Sequence, residues 1–151
     1  IAKYFGAEVT GVCSTSNLDL VKSLGADAVI DYTKTDFSKT GKTYDVVFET
    51  VDKAPFSSCI RVLKQDGKLI LGAALLGGML RGVWRSLTSK QKVIISVSSE
   101  TTEAANFLQK LAAEGKLKAV VDKTYPLEQI VAAHAYADKG HKRGNVIIQL
   151  V

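Results

Sequence analysis

The chain has 151 residues, 46% hydrophobic and 23% charged, so it is long enough to bury a core and too apolar to stay disordered. Its net charge of +5 comes from Lys and Arg scattered along the chain, with local groups at residues 81–92 and 139–143, a pattern that suits a solvated surface as well as an anionic ligand. Two cysteines, Cys13 and Cys59, cannot make a disulfide framework, no CxxC or Cys/His spacing suggests a zinc site, and no apolar run is long enough to span a bilayer. With no charged-then-apolar leader, the expected location is a reducing cytoplasm. Neither a membrane nor a nucleic acid is an expected partner, since no RNP or helix-turn-helix pattern occurs.

Residues 1–5, IAKYF, read as the end of a helix stopped at Gly6, and a chain that opens at Ile inside a helix is expected to be a fragment. Residues 8–17, EVTGVCSTSN, follow as a buried strand ending in small hydroxyl side chains. Ser16 or Asn17 can cap the helix behind it, whose apolar side is Leu18, Val21 and Leu24 and whose stop is Gly25. Ser14, Thr15 and Asn17 either serve that cap alone or leave donors free for a ligand phosphate. One joint occurs twice: Gly6-Ala7-Glu8 leads into VTGV, and Gly25-Ala26-Asp27 leads into a strand at residues 28–31. Such recurrent joints predict parallel strands with crossover helices.

Beyond a polar stretch with a short helix near Asp36 and Phe37 and a breaker at Gly41, residues 44–51, YDVVFETV, read as a strand covered on both faces. Pro55 opens the next helix, with Phe56, Ile60 and Leu63 towards the sheet. Asp66-Gly67 predicts a turn into a strand at 68–71 that ends at Gly72-Ala73-Ala74. Residues 75–92, with Arg81 and Arg85, read as a loop with a short helix, open to use as an apolar lid or as an oligomer contact. A strand at 93–97, an amphipathic helix at 103–114 stopped by Gly115, a strand within 118–125, a helix at 127–138 behind Pro126 and a closing strand after Gly144 complete the chain. Roughly six strands and six helices in alternation predict an α/β fold built on a doubly wound parallel sheet.

At EVTGVCSTSNLDLVKSLGADAVIDYTKTDF, then YDVVFETV, LKQDGKLILGA and TYPLEQIVAAHAYADKGHKRGNVIIQLV, the sequence resembles the nucleotide-binding half of the medium-chain dehydrogenase/reductase superfamily, in its zinc-independent quinone oxidoreductase-like branch. In that family a strand and a Gly-rich turn precede the helix that ends here at Gly6, and a catalytic domain precedes those. Neither GxGxxG nor a close variant occurs in this sequence. The resemblance therefore implies a Rossmann-type domain lacking its first strand and Gly-rich turn over residues 1–123, and a C-terminal helix and strand over 124–151 that return towards the catalytic domain.

NAD-preferring sheets place an acid at the end of the second strand, where this chain has Cys13-Ser14-Thr15, so NADP(H) is the expected cofactor. The resemblance implies Ser14, Thr15 and Tyr32 around the 2′-phosphate, with Asn17 where the family has Lys and with Lys22, Lys142 or Arg143 as replacement cations. It implies Thr50, Val51, Gly72 and Ala73 on the nicotinamide side, with Ser96 a weaker candidate and Asp52 standing where the family has Gly. His134, among alanines, is read as a packing or surface residue, and His141 sits in a basic loop where an anion contact is open.

The implied function is hydride transfer from NADPH to a small-molecule quinone, enone or related carbonyl by the full-length parent, this fragment alone being inactive. No catalytic residue and no metal ligand are assigned, and a homodimer is left open. A catalytically silent nucleotide-binding or assembly module is the alternative from another class. A methyltransferase, suggested by YDVVFETV, is disfavoured by the repeated Gly-Ala-acid joints.

Overall fold

The computed structural model describes residues 1–72, 89–95 and 101–150. Among them, β1 (Thr10–Cys13), α1 (Leu18–Ser23), β2 (Ala28–Asp31), β3 (Tyr44–Glu49), α2 (Phe56–Arg61), β4 (Leu63–Leu71) and β5 (Lys92–Ile95) come first. They are followed by α3 (Thr102–Ala113), β6 (Val121–Pro126), α4 (Ile130–Asp138) and β7 (Asn145–Gln149), with 3-10 turns at Thr15–Asn17, Phe37–Lys39 and Leu127–Gln129. The alternation is that of an α/β fold, and among the described residues its hydrogen-bonded ladders are β1-β2, β3-β4-β5 and β6-β7. β3 pairs β4, β4 pairs β5 and β6 pairs β7 in parallel. For β1 and β2 the bonds climb together, from Val9 O with the N–H groups of Asp27 and Ala28 to Cys13 O with the N–H of Tyr32, so this pair is parallel too. The chain divides into two compact units, residues 1–11, 16–29 and 100–151 in the first and residues 12–15 and 30–99 in the second.

In the first unit the repeated joint has a physical cause. Gly6 N–H donates to Lys3 O and Ala7 N–H to Ala2 O, and Gly25 and Ala26 repeat the pattern with Lys22 O and Val21 O. Both glycines have left-handed backbones, at φ 79 and φ 104, a conformation that a Cβ would strain. Residues 1–5 form one turn rather than a longer helix. Asp27, the acid of the second joint, reaches back to the first: it accepts Lys3 Nζ at 2.8 Å and the Val9 N–H at 2.7 Å. Tyr4 and Phe5 pack on Phe107 of α3, and Leu111 of the same helix is buried. Thr101 caps α3 by accepting the Ala104 N–H.

The second unit is organised by β4. Leu69 and Leu71 point to one face and are buried with Cys59 and Leu63, and Val47, Phe56, Ile60 and Val93 pack against them. The strand begins at Leu63, ahead of the predicted start at Lys68, because the Asp66-Gly67 turn is absorbed as a bulge: Tyr44 pairs Leu63 but Val46 pairs Lys68. A Cβ at Gly67 would lie 3.0 Å from Lys64 O and 3.2 Å from Asp45 O, so a side chain in the bulge would be crowded against two carbonyls. Gln91, 8% exposed, aims its amide nitrogen at the carbonyls of Ile60, Leu63 and Lys64 and so ties β5 to the α2-β4 connection. Most of the stretch at 75–92 and the end of the predicted strand at 93–97 lie outside the described residues.

The Lys3 ammonium, and then the Val9 N–H, hold the Asp27 carboxyl below the usual carboxylate range. A group depressed in this way contributes stability that is present above its unfolded value of ~3.9 and is lost as pH falls through the folded one. Asp27→Asn is therefore expected to lower the urea midpoint at neutral pH and to converge on the wild type as pH falls below the usual carboxylate range. Urea unfolding across that range checks it, and a deficit that stayed constant with pH would contradict it.

Candidate functional site

In an open parallel sheet, ligands bind beyond the carboxyl ends of the strands. At the ends of β1 and β2 the second unit brings together residues 13–15 and 31–34. Thr15 Oγ1 donates to Asp31 Oδ2 at 2.5 Å, and Thr33 Oγ1 donates to Asp31 Oδ1 at 2.7 Å. The Thr33 N–H adds a third bond to Oδ1 at 3.0 Å. The two hydroxyl oxygens stand 3.2 Å apart. The Asp31 side chain is 10% exposed, and Lys34 Nζ lies 3.8 Å from its Oδ2. The Thr15 hydroxyl first, and then that of Thr33, hold the Asp31 carboxyl below its ordinary range. Burial, and then the Asp31 charge, push the Cys13 thiol up.

This strand end combines the hydroxyls with the negative charge of Asp31. A hydroxyl carries one proton, and Asp31 takes it from both threonines. Thr15 is thus at the predicted place but committed to a neighbour. Tyr32 follows Asp31 with its side chain 61% exposed, and Ser14 is half-buried. Asn17 stands at the N-cap of α1 in the first unit without a side-chain cap bond, because a 3-10 turn precedes the helix. Lys142 Nζ binds Gly144 O, and the Arg143 main chain donates to Asp122 Oδ2; these residues, with Lys22 on α1, also belong to the first unit. His134 and His141 are exposed.

A second cluster forms at the ends of β3 and β4. Glu49 pairs Leu71, and the Gly72 N–H donates to Glu49 O at 2.8 Å, which sets Thr50 and Gly72 side by side past the ladder. The Glu49 carboxylate, itself buried, accepts the N–H groups of Val51, Asp52 and Lys53 at 3.3, 2.6 and 3.1 Å. Thr50 and Val51 are exposed on the turn so held. Asp52 adopts φ 54, the left-handed region where the family pattern has Gly. Burial, with Glu49 as the nearest charge, pushes the Cys59 thiol up to about 11. Ala73 and Ser96 lie outside the described residues.

Asp31, Thr33, Lys34 and Glu49 were not singled out by sequence reasoning. The signal for the first three is an Asp-x-Thr directly behind a strand, a spacing that favours side-chain bonds to the following turn. For Glu49 it is an acid inside an otherwise apolar run. At the β1-β2 end Tyr32 and Lys34 bring donors, and the oxygens bound to Asp31 bring acceptors. The GxGxxG pattern that forms a pyrophosphate cradle does not occur in the sequence. Among the described residues no group of three His, Cys, Asp or Glu could hold a metal, and no helix is long and apolar enough to cross a membrane.

A family profile described as zinc-binding dehydrogenase matches residues 24–148. The chloroplast envelope quinone oxidoreductase homolog of Arabidopsis thaliana is 33% identical over 99% of this chain, which spans 47% of that relative. The NADPH-dependent alkenal/one oxidoreductase of the same plant, chloroplastic, is 31% identical over 96% of the chain and 34% of its own length. The solved quinone oxidoreductase from Coxiella burnetii superposes with a TM-score of 0.82 at 25% identity, covering 99% of this chain and 47% of that one. The chain therefore spans about half, or less, of the relatives it matches.

The two plant proteins correct the cytoplasmic location, because both are chloroplastic by name. Two unpaired cysteines argue against an oxidising compartment only and do not choose among the others.

Left-handed backbone costs a residue with a Cβ about 1–2 kcal/mol, least for Asp and Asn and most for β-branched side chains. Asp52→Gly is therefore expected to leave stability unchanged or raise it by up to about 1 kcal/mol, and Asp52→Val to lower it by about 1–2 kcal/mol. Urea unfolding of both variants checks the order; equal stability of the valine and glycine variants would contradict it.

Proposed function

The chain belongs to the medium-chain dehydrogenase/reductase superfamily, on its quinone oxidoreductase-like side, and from that membership we propose that it is the cofactor-binding part of an NADPH-dependent reductase acting on quinones, enones or related carbonyls. One observation carries the reading. In one compact unit the strand end of β1-β2 groups Thr15, Thr33 and Lys34 around Asp31, and that of β3-β4 sets Thr50 beside Gly72, which supports reading the first as a sugar site and the second as a ring site. The name of the NADPH-dependent alkenal/one oxidoreductase supports both the cofactor and the substrate class.

When bound, NADPH supplies the hydride, and the protein's task is to orient the nucleotide and exclude water. In this proposal Tyr32 and Lys34 meet the ribose phosphate, Thr15 presents oxygen to the sugar, and Ser14 lines the approach. Glu49 fixes the turn on which Thr50 and Val51 face the ring, with Gly72 beside them. A Cβ at Gly72 would already lie 3.1 Å from the Phe48 ring, so this edge stays low. Residues 124–151 are read as the segment that returns towards a catalytic domain. No residue of the chain is assigned as acid or base.

A second reading, an assembly module, is favoured by the face of β3-β4-β5 that carries Val46, Phe48 and Ile94, all exposed although parallel sheets are usually covered on both faces. Size-exclusion with and without dinucleotide separates the two, since assembly indifferent to nucleotide is expected only of the second. Fluorescence titration of the full-length protein with NADPH and NADH is expected to give tighter binding of NADPH, and tighter binding of NADH would overturn the cofactor assignment.

A further inference from the structure

We propose that Asp31 is a positioning residue that fixes the hydrogen-bond polarity of the ribose rim, so that Thr15 and Thr33 meet a nucleotide as acceptors and recognition of a 2′-phosphate falls to Tyr32 and Lys34. The inference rests on the reading of this strand end as a nucleotide site.

Each threonine hydroxyl has one proton to give and two lone pairs to receive with. Thr15 donates to one Asp31 oxygen and Thr33 to the other, at 2.5 and 2.7 Å, and bonds to an ionised acceptor are the ones hardest to divert. The 3.2 Å separation of the two hydroxyl oxygens therefore carries no donated proton. Outward, both hydroxyls offer lone pairs only. A free ribose 2′-hydroxyl, which can donate, is satisfied by them, whereas a 2′-phosphate, all acceptor at neutral pH, is not. Asp31 adds its own negative charge against the phosphate, offset by Lys34 Nζ at 3.8 Å. Selectivity is a difference of affinities, and this rim handicaps the phosphorylated sugar without excluding it. The strand-end threonine thus looks like a phosphate ligand in sequence and acts as a ribose acceptor in the fold.

Asp31→Asn brings two N–H donors where Asp31 only accepts, so a threonine has to turn its proton outward. Calorimetric titration of the full-length protein uses 2′,5′-ADP and 5′-AMP as probes. Asp31→Asn is expected to shift the ratio of affinities towards 2′,5′-ADP by about tenfold while 5′-AMP changes by less than about twofold. Thr15→Val in the native background is expected to change 2′,5′-ADP binding by less than about twofold, and added to Asp31→Asn it is expected to cancel much of the gain. A role confined to stability would move both probes together and give no such coupling.

The inference is overturned if Asp31→Asn leaves the ratio unchanged while both probes bind, or if Thr15→Val alone weakens 2′,5′-ADP by about tenfold. Should Asp31→Asn fail to fold by circular dichroism, the single variants Thr15→Val and Thr33→Val decide it by the same criterion. Failure of both probes to bind the native protein would remove the nucleotide site itself, a different result from an unchanged ratio.

Discussion

One buried-edge carboxylate governs what the proposed nucleotide end of this protein can say to a ligand. Asp31 collects the protons of Thr15 and Thr33, and the cost of breaking two charge-assisted bonds keeps those hydroxyls turned inward. Glu49 does the corresponding work one strand on in sequence, where it gathers three consecutive N–H groups of the turn after β3. In both places an acid just before a strand end spends its charge on shaping the next few residues. The groups left facing outward are then defined by default: Tyr32 and Lys34 at one cluster, Thr50, Val51 and Gly72 at the other.

Such clusters depend on strands being level with each other. The glycine-terminated joints supply that in the first unit, since each turn is closed by the same two bonds and the acid of one joint holds the lysine and the strand start of the other. In the second unit the register is held by the β3-β4-β5 ladder, with a bulge at Gly67 taking up the extra residues and Gln91 pinning the start of β5. Leu69 and Leu71 bury the inner face of that ladder and make its outer end a fixed platform.

The order of elements was legible because glycine, proline and apolar periodicity act locally: Gly6, Gly25 and Gly115 end helical turns, and Pro126 precedes the turn into α4. The departure at Asp52 was also legible, and it falls on a left-handed backbone, where Gly meets the least steric cost. What a single sequence could not give was the bond between residues sixteen apart, Thr15 and Asp31, which exists only once β1 and β2 lie side by side. Asn17 looked like a cap for the same reason in reverse: its type fits the position, but the 3-10 turn before α1 leaves it without a side-chain cap bond. Compartment was not legible at all, because cysteine usage reports redox conditions and not an address.

The central claim is that a nucleotide's sugar sits at the β1-β2 strand end. The most direct test is to follow backbone amide signals by NMR while 2′,5′-ADP is added to the full-length protein. The account expects the changes to concentrate at residues 14–15 and 32–34, with α3 and β6 silent. Changes confined to α3 and β6, or spread evenly over the chain, would contradict it.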